Sequence, residues 1–358
     1  MGNTWSSEDL QKLRSALSRI GRNEVLRSEF VSFLKIAEKK VNGGGAIRDE
    51  VIGPIMDAIH TKDDLYEKIL ADGTKFQFLY RTKIARDFIL SGLDHPTHVW
   101  EPQTSRLLQY LVGKTAKDVL IGGAYFGDHA ILLGKKLSGS DRLVHCFEPD
   151  SDQSRMLAVN SQANDLDNLK IHRLGLWRES NRRLKLVGFD SLASSVVIES
   201  EEEGFETVSV DDYFHSVGRS CGLIMIDIEG GEFDVLQGAH KTIRNDKPPI
   251  IFEVHRDYVD WSGGLLETPV CSLLKDAGYE IFAIRDFNTN QEMGDRKIEL
   301  IPALTVYLDG PPHGFNMLAV PENSLVNDPI FSIVDGVSPK LLRHKDPALH
   351  HPLQGIPD

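Results

Sequence analysis

Through roughly the first 95 residues, apolar positions recur every three or four places, the period of a helix with one buried face. Ser6 or Ser7 can cap a helix that carries Leu10, Leu13, Leu17 and Ile20. A second helix is predicted from Asn23 to about Val41, with Val25, Leu26, Phe30, Phe33, Leu34 and Ile36 along it. Gly43-Gly44-Gly45 interrupts the pattern. Further helices are expected over 49–60, 62–70 and 76–90. Nothing in residues 1–95 carries chemistry. The region reads as a helical scaffold, through which the chain could form a homo-oligomer, or as a substrate lid.

From Lys117 the period changes. Short apolar, β-rich runs alternate with helical segments, as in a mostly parallel sheet covered on both faces. Strands are predicted over 118–122, 142–147, 169–174, 223–227, 249–254, 279–284 and 315–320. Helices fall over 128–137, 151–163, 232–243 and 265–276. Residues 184–197 look like an inserted hairpin, and 208–210 like a short strand. The expected fold class is α/β, a doubly wound, mostly parallel seven-stranded sheet spanning 96–325, preceded by the helical region. Residues 326–358 are polar and broken by proline, which predicts a tail strapped loosely to the surface.

Composition narrows the function. The 358 residues are 41% hydrophobic and 26% charged, ordinary for a soluble globular protein. A formal charge of −13 opposes general nucleic-acid binding, which needs a basic footprint. The three scattered cysteines form no disulfide framework, which suits a reducing, cytoplasmic setting. No apolar run approaches the roughly 18 residues that span a bilayer, so no membrane partner is expected. Met1-Gly2-Asn3-Thr4-Trp5-Ser6 fits the loose N-myristoylation pattern, which matters only in a eukaryotic host.

Four features carry candidate chemistry. The first is the strand-to-helix turn Ile121-Gly122-Gly123-Ala124-Tyr125-Phe126-Gly127-Asp128. Its glycines let backbone approach a ligand, and the following helix offers free N–H groups. The second is Glu148, in Phe147-Glu148-Pro149, at the next strand end about 20 residues on, where a carboxylate can accept both hydroxyls of a ribose. The third is Ile226-Asp227-Ile228-Glu229-Gly230-Gly231-Glu232. It places Asp227 and Glu229 on the same sheet edge, where acids suit a positively charged ligand. Glu232 belongs in the first helical turn, where it favours the dipole. The fourth is His255, ending the fifth strand and a candidate general base near neutral pH.

In this order the four features resemble the FkbM family of S-adenosylmethionine-dependent methyltransferases. Gly123, Ala124 and Gly127 fit its glycine motif, Phe147-Glu148-Pro149 its second element, and Asn160 and Asn164 its paired asparagines. Val208-Ser209-Val210-Asp211-Asp212 and Ala277-Gly278-Tyr279 also fit. Asp227-Ile228-Glu229-Gly230-Gly231-Glu232 fits best. The resemblance spans about 101 to 320. It departs at Ile121, where the family has Asp, and at Tyr125, where it has Asn. The Asp commonly helps hold the methionine end of the cofactor, and Glu101 is a candidate to replace it.

The resemblance implies methyl transfer from S-adenosylmethionine to a hydroxyl of a small molecule, natural product or glycan. The implied cofactor site comprises Glu101, Gly122, Gly123, Ala124, Tyr125, Phe126, Gly127, Glu148 and Asp227. Asp227, Glu229 and His255 are the candidate catalytic groups. A divalent metal on the carboxylates is permitted and not required. Two other readings compete. Ile121 and Tyr125 allow a non-catalytic module with a lapsed site. The missing G-x-G-x-x-G disfavours a nicotinamide enzyme.

Overall fold

The computed structural model describes residues 6–41, 47–187, 194–197, 204–287, 289–308, 314–321 and 326–341. Ser6 opens the first helix, Ser7–Gly21, as a capping box. Its hydroxyl accepts from the Asp9 N–H (3.2 Å), and the Asp9 carboxylate accepts from the Ser6 N–H (3.1 Å). Asn23 caps the second helix, Glu24–Lys40. These helices pack on a third, Gly53–Ile59, through Leu17, Leu34, Met56 and Ile59. Their outer faces leave Leu10, Val25, Phe33 and Ile36 exposed.

The helices predicted over 62–70 and 76–90 are largely replaced by a hairpin. Strands β1 (Leu65–Ile69) and β2 (Lys75–Leu79) pair antiparallel, and a helix covers only Lys83–Ile89. Phe76 and Phe78 are buried either side of a half-buried Gln77, a period of two that the neighbouring apolar residues disguise. The free edge of β2 is closed by the paired asparagines on the helix Ser151–Ala163 and its cap. Asn160 Oδ1 accepts from the Gln77 N–H (2.6 Å) and its Nδ2 donates to Gln77 O (2.9 Å). Asn164 does the same for Lys75, at 2.9 and 2.7 Å. Two amides one helical turn apart thus act as a neighbouring strand.

The remaining strands are β3 (Asp118–Gly122), β4 (Val144–Phe147), β5 (Leu169–His172), β6 (Gly175–Leu176), β7 (Arg183–Val187), β8 (Ser194–Val197), β9 (Phe205–Val208), β10 (Cys221–Ile226), β11 (Ile250–Val254), β12 (Glu280–Ile284), β13 (Ile298–Pro302), β14 (Phe315–Val320) and β15 (Phe331–Ile333). The main sheet runs β15-β13-β12-β14-β11-β10-β3-β4-β5. Five parallel strands, β5 to β11, form one half, and β14 lies antiparallel between β11 and β12. The seven expected strands are all present. β13 and β15 extend the sheet to nine, so residues 326–341 are strand and buried segment rather than loose tail. The predicted hairpin over 184–197 is β7 and β8. The strand expected at 208–210 is instead β9, after which Ser209 caps a helix, Val210–Val217, by accepting the Asp212 N–H. Residues 1–5 of the myristoylation pattern and 342–358 lie outside the described residues.

Alternate residues on these strands feed two cores. Val119, Ile121, Leu223, Met225 and Ile251 face one side, and Leu120, Ile224, Ile226, Ile250 and Phe252 the other. From β3 the chain steps to β4 and β5, then returns across β3 to β10 and β11. That reversal opens a crevice at the carboxyl ends of β3 and β10, where sheets of this class bind ligands.

At the opposite end of β3 a polar chain is buried. The Asp118 carboxylate meets Arg219 and, at 2.9 Å, His145 Nε2; His145 Nδ1 and His172 Nε2 each lie 2.7 Å from the Tyr213 hydroxyl. One proton order satisfies every group. His172 donates to Tyr213, Tyr213 donates to His145, and His145 donates to Asp118. Tyr213→Phe strands two ring nitrogens, and we expect it to cost about 1–3 kcal/mol. A urea midpoint unchanged from wild type would contradict this account of the chain.

Candidate active site

The glycine turn is where the backbone does what side chains forbid. Gly123 has φ +76°, and a Cβ there would sit 1.8 Å from Asp227 O. The end of β10 therefore presses directly on the turn. The Gly123 and Ala124 N–H groups both donate to Phe147 O, at 3.0 and 3.1 Å. The Tyr125 N–H donates to Glu148 Oε2 (2.8 Å), and the Asp150 N–H to Glu148 Oε1 (2.9 Å). Turn and acid are thus one hydrogen-bonded unit. Burial pushes the Glu148 carboxyl up to about 7, against those two backbone donors.

The two departures from the family motif have structural consequences. Ile121 is buried in the core of the sheet. Tyr125 adopts the left-handed backbone, φ +47°, that Asn tolerates more readily. Its ring packs on Phe126 at 4.8 Å, and its hydroxyl lies 2.8 Å from Thr82 Oγ1. Thr82 is the cap of the helix Lys83–Ile89. Asn160 Nδ2 also donates to Phe126 O (2.9 Å). The Thr82 contact fastens the turn to the N-terminal region directly, and Asn160, which also pairs with Gln77, does so through the helix Ser151–Ala163.

On the other side of the crevice three carboxylates converge. One oxygen from each of Asp227, Glu229 and Glu253 lies within 4.8 Å of the others. The geometry suits a cationic group of a cofactor, or a divalent ion. A left-handed Glu229 (φ +56°) and Gly230 (φ +106°) turn the chain here. Glu232 holds the turn shut, accepting from the Ile228 N–H (3.0 Å) and the Gly230 N–H (3.1 Å). Burial raises all three carboxyls, and repulsion from neighbouring acids, Glu232 and Glu101 among them, adds to it. Asp227 and Glu253 sit well above the usual range, and Glu229 is pushed up to about 7. The Tyr258 hydroxyl opposes the rise at Glu229, and its ring packs over Gly230.

Sequence reasoning singled out His255 and passed over Glu253. A lone acid inside the apolar run Ile250–Val254 was the available signal. His255 is not among the three convergent groups. Its Nδ1 accepts from the Asp257 N–H (3.1 Å), so the neutral ring carries its proton on Nε2. Burial lowers its pKa.

Residues 122–281 match the family model for the methyltransferase FkbM domain. This segment belongs to the FkbM methyltransferase family. No curated protein matches the chain. Among solved structures, the chain is similar to methyltransferase FkbM from Methylobacillus flagellatus, at 16% identity and TM-score 0.36, over 66% of this chain and 52% of that one. It thus spans about half the length of that protein. It is also similar to an O-methyltransferase from Bacillus cereus in complex with SAH, at 15% identity and TM-score 0.34, over 63% of this chain and 84% of that one. At such identities and TM-scores the family match, not these likenesses, carries the assignment.

The FkbM segment does not hold the whole site. Glu101, ahead of it, is buried in a left-handed conformation (φ 43°) at the start of the helix Pro102–Val112. It adds to the repulsion on Asp227, Glu229, Glu253 and the buried Asp128. Its oxygens meet Asn316 Nδ2 (2.5 Å) and Lys340 Nζ (3.2 Å), residues that no sequence motif marked. Among the described residues, no helix is long and apolar enough to cross a membrane.

The contact between Gly123 and Asp227 O yields a controlled test. Gly139 has nearly the same φ, +79°, but open space around it. Gly139→Ala should show only the backbone strain, about 1–3 kcal/mol. Gly123→Ala should cost more, because the strand end must also move. Equal urea midpoints for the two variants would contradict the close approach.

Proposed function

We propose that the chain is an S-adenosylmethionine-dependent methyltransferase that methylates a hydroxyl of a small molecule or glycan. The observation that carries this reading is the crowding of Asp227, Glu229 and Glu253 at the switch point beside the glycine turn. Acids held this close favour a ligand that brings positive charge. Glu229 Oε2, buried and without a hydrogen-bond partner, is an acceptor waiting for a donor or cation. When bound, the cofactor supplies an electrophilic methyl group on a sulfonium centre with a neutral thioether as leaving group.

The chain's own residues then have distinct tasks. Glu148 is the acceptor for the ribose hydroxyls, because backbone N–H groups already fix both its oxygens. Glu101 takes the amino group, in place of the acid that Ile121 lacks. Asp227 faces the remaining positive charge. Alignment of donor and acceptor contributes the larger part of catalysis, up to about 7–11 kcal/mol in favourable geometries. An alcohol must also lose a proton. Glu229 is the base we favour, since its carboxyl titrates at about 7, close to working pH. His255 could serve only through Nε2, after a tautomer change. The N-terminal region acts as a scaffold that braces the turn through Thr82.

This reading fixes a pH dependence. Below about 7, Glu229 and Glu148 hold protons and attract a cation weakly. Above it they are charged, and S-adenosylmethionine should bind more tightly. The free protein behaves in the opposite sense. Folded Glu229 keeps its proton up to about 7, whereas an unfolded glutamate releases it near 4.5, so stability falls as pH rises through that window. The thermal shift produced by S-adenosylmethionine should therefore be larger at pH 8 than at pH 6. A shift that shrinks with rising pH, or a larger shift with NAD, would overturn the proposal.

Asp227→Asn removes one charge and keeps the shape. We expect it to weaken S-adenosylmethionine binding about tenfold or more, with an unchanged fold. Calorimetric affinities equal to wild type would remove Asp227 from the site.

A further inference from the structure

The last described segment lies outside the FkbM match yet runs into the site. Val337, Ser338, Lys340 and Leu341 are buried. Backbone bonds tie them to the end of β12. The Asp286 N–H donates to Pro339 O, and the Leu341 N–H donates to Asp286 O, each at 2.9 Å. Arg285 Nε donates to Ser338 O (3.2 Å). The Asp286 carboxylate then caps the helix Pro102–Val112, accepting from the Gln103 N–H (3.1 Å) and the Thr104 N–H (2.7 Å). A single aspartate joins this segment to the helix that Glu101 begins.

Lys340 uses that anchorage to place a cation deep in the protein. Its side chain is 1% exposed, with Nζ 3.2 Å from Glu101 Oε1. The other Glu101 oxygen accepts from Asn316 Nδ2 at 2.5 Å. Burying an ammonium is costly, and a buried ion pair is seldom more stable than an apolar substitute. Stability alone therefore does not account for a lysine here. The Glu101 charge raises the neighbouring carboxyls of Asp227, Glu229, Asp128 and Asp286, so a cation beside Glu101 offsets a charge that its acidic surroundings oppose.

We infer that the segment carrying Lys340 completes the cofactor site, its ammonium and the Asn316 amide fixing the Glu101 carboxylate as the seat for the amino group of an amino-acid-bearing nucleoside. This rests on the S-adenosylmethionine reading above. Glu101 is the binding group, and Lys340 is a positioning residue.

Two uncharged thioethers test it. S-Adenosylhomocysteine carries the amino-acid end, and 5′-methylthioadenosine lacks it. Lys340→Met should weaken S-adenosylhomocysteine binding about tenfold or more and 5′-methylthioadenosine binding less than about twofold, measured by calorimetry. Lys340→Arg should recover most of the loss. Asn316→Ala, a change on a different strand, should show the same selective loss and stands in if Lys340→Met fails to fold. An equal loss for both ligands would assign Lys340 a merely structural role and overturn the inference, as would no loss for either. If wild type binds neither ligand, the S-adenosylmethionine reading itself falls and takes this inference with it. If wild type binds both and the variants lose neither selectively, only the inference falls.

Discussion

Repulsion among the carboxylates at the crevice is the constraint on which the site is built. Two unit charges 4.8 Å apart repel by roughly 3–4 kcal/mol at an effective dielectric constant of about 20. Asp227, Glu229 and Glu253 each bring an oxygen within that distance of the others, with Glu101 close by. Burial raises these carboxyls and the repulsion adds to it, so the free protein relieves the crowding by keeping protons on them. A ligand that brings positive charge relieves it better. The same feature therefore explains the shifted acids, the preferred ligand charge and the pH dependence.

Holding like charges together requires rigid surroundings, and the fold supplies them from several directions. The glycine turn has no side chain at Gly123, so the end of β10 can close on it. Glu232 ties down the backbone that presents Glu229. Thr82 braces the turn from the N-terminal region, Asn160 braces it from the helix Ser151–Ala163, and Lys340 reaches in from the far end of the chain. The FkbM segment is the middle of a structure whose two flanks help to complete its crevice.

How much of this was legible in the sequence depended on distance along the chain. Strands 118–122 and 315–320 could be read end to end, because apolar runs bounded by turns leave little choice. The hairpin β1–β2 could not. Its edge partner is a pair of asparagine side chains more than eighty residues away, and local periodicity does not register that. The site divides in the same way. The glycine turn, Glu148, Asp227 and Glu229 each sit at or just past a strand end in a short motif with glycine or proline, and the structure brings them to one edge. Glu253 hides inside an apolar strand. Asn316 and Lys340 meet Glu101 across 215 and 239 residues, with no motif to announce them. β15, a three-residue strand at the sheet edge, is too short to show a readable pattern, and β13 lies between it and β12.

The central claim is that these carboxylates keep their protons until a cationic cofactor displaces them. Calorimetry in buffers of different ionisation enthalpy counts the protons released on binding. At pH near 6.5, S-adenosylmethionine should release protons, and more of them than S-adenosylhomocysteine, which lacks the sulfonium charge. Binding heats that do not depend on the buffer, or an equal release for the two ligands, would contradict the account.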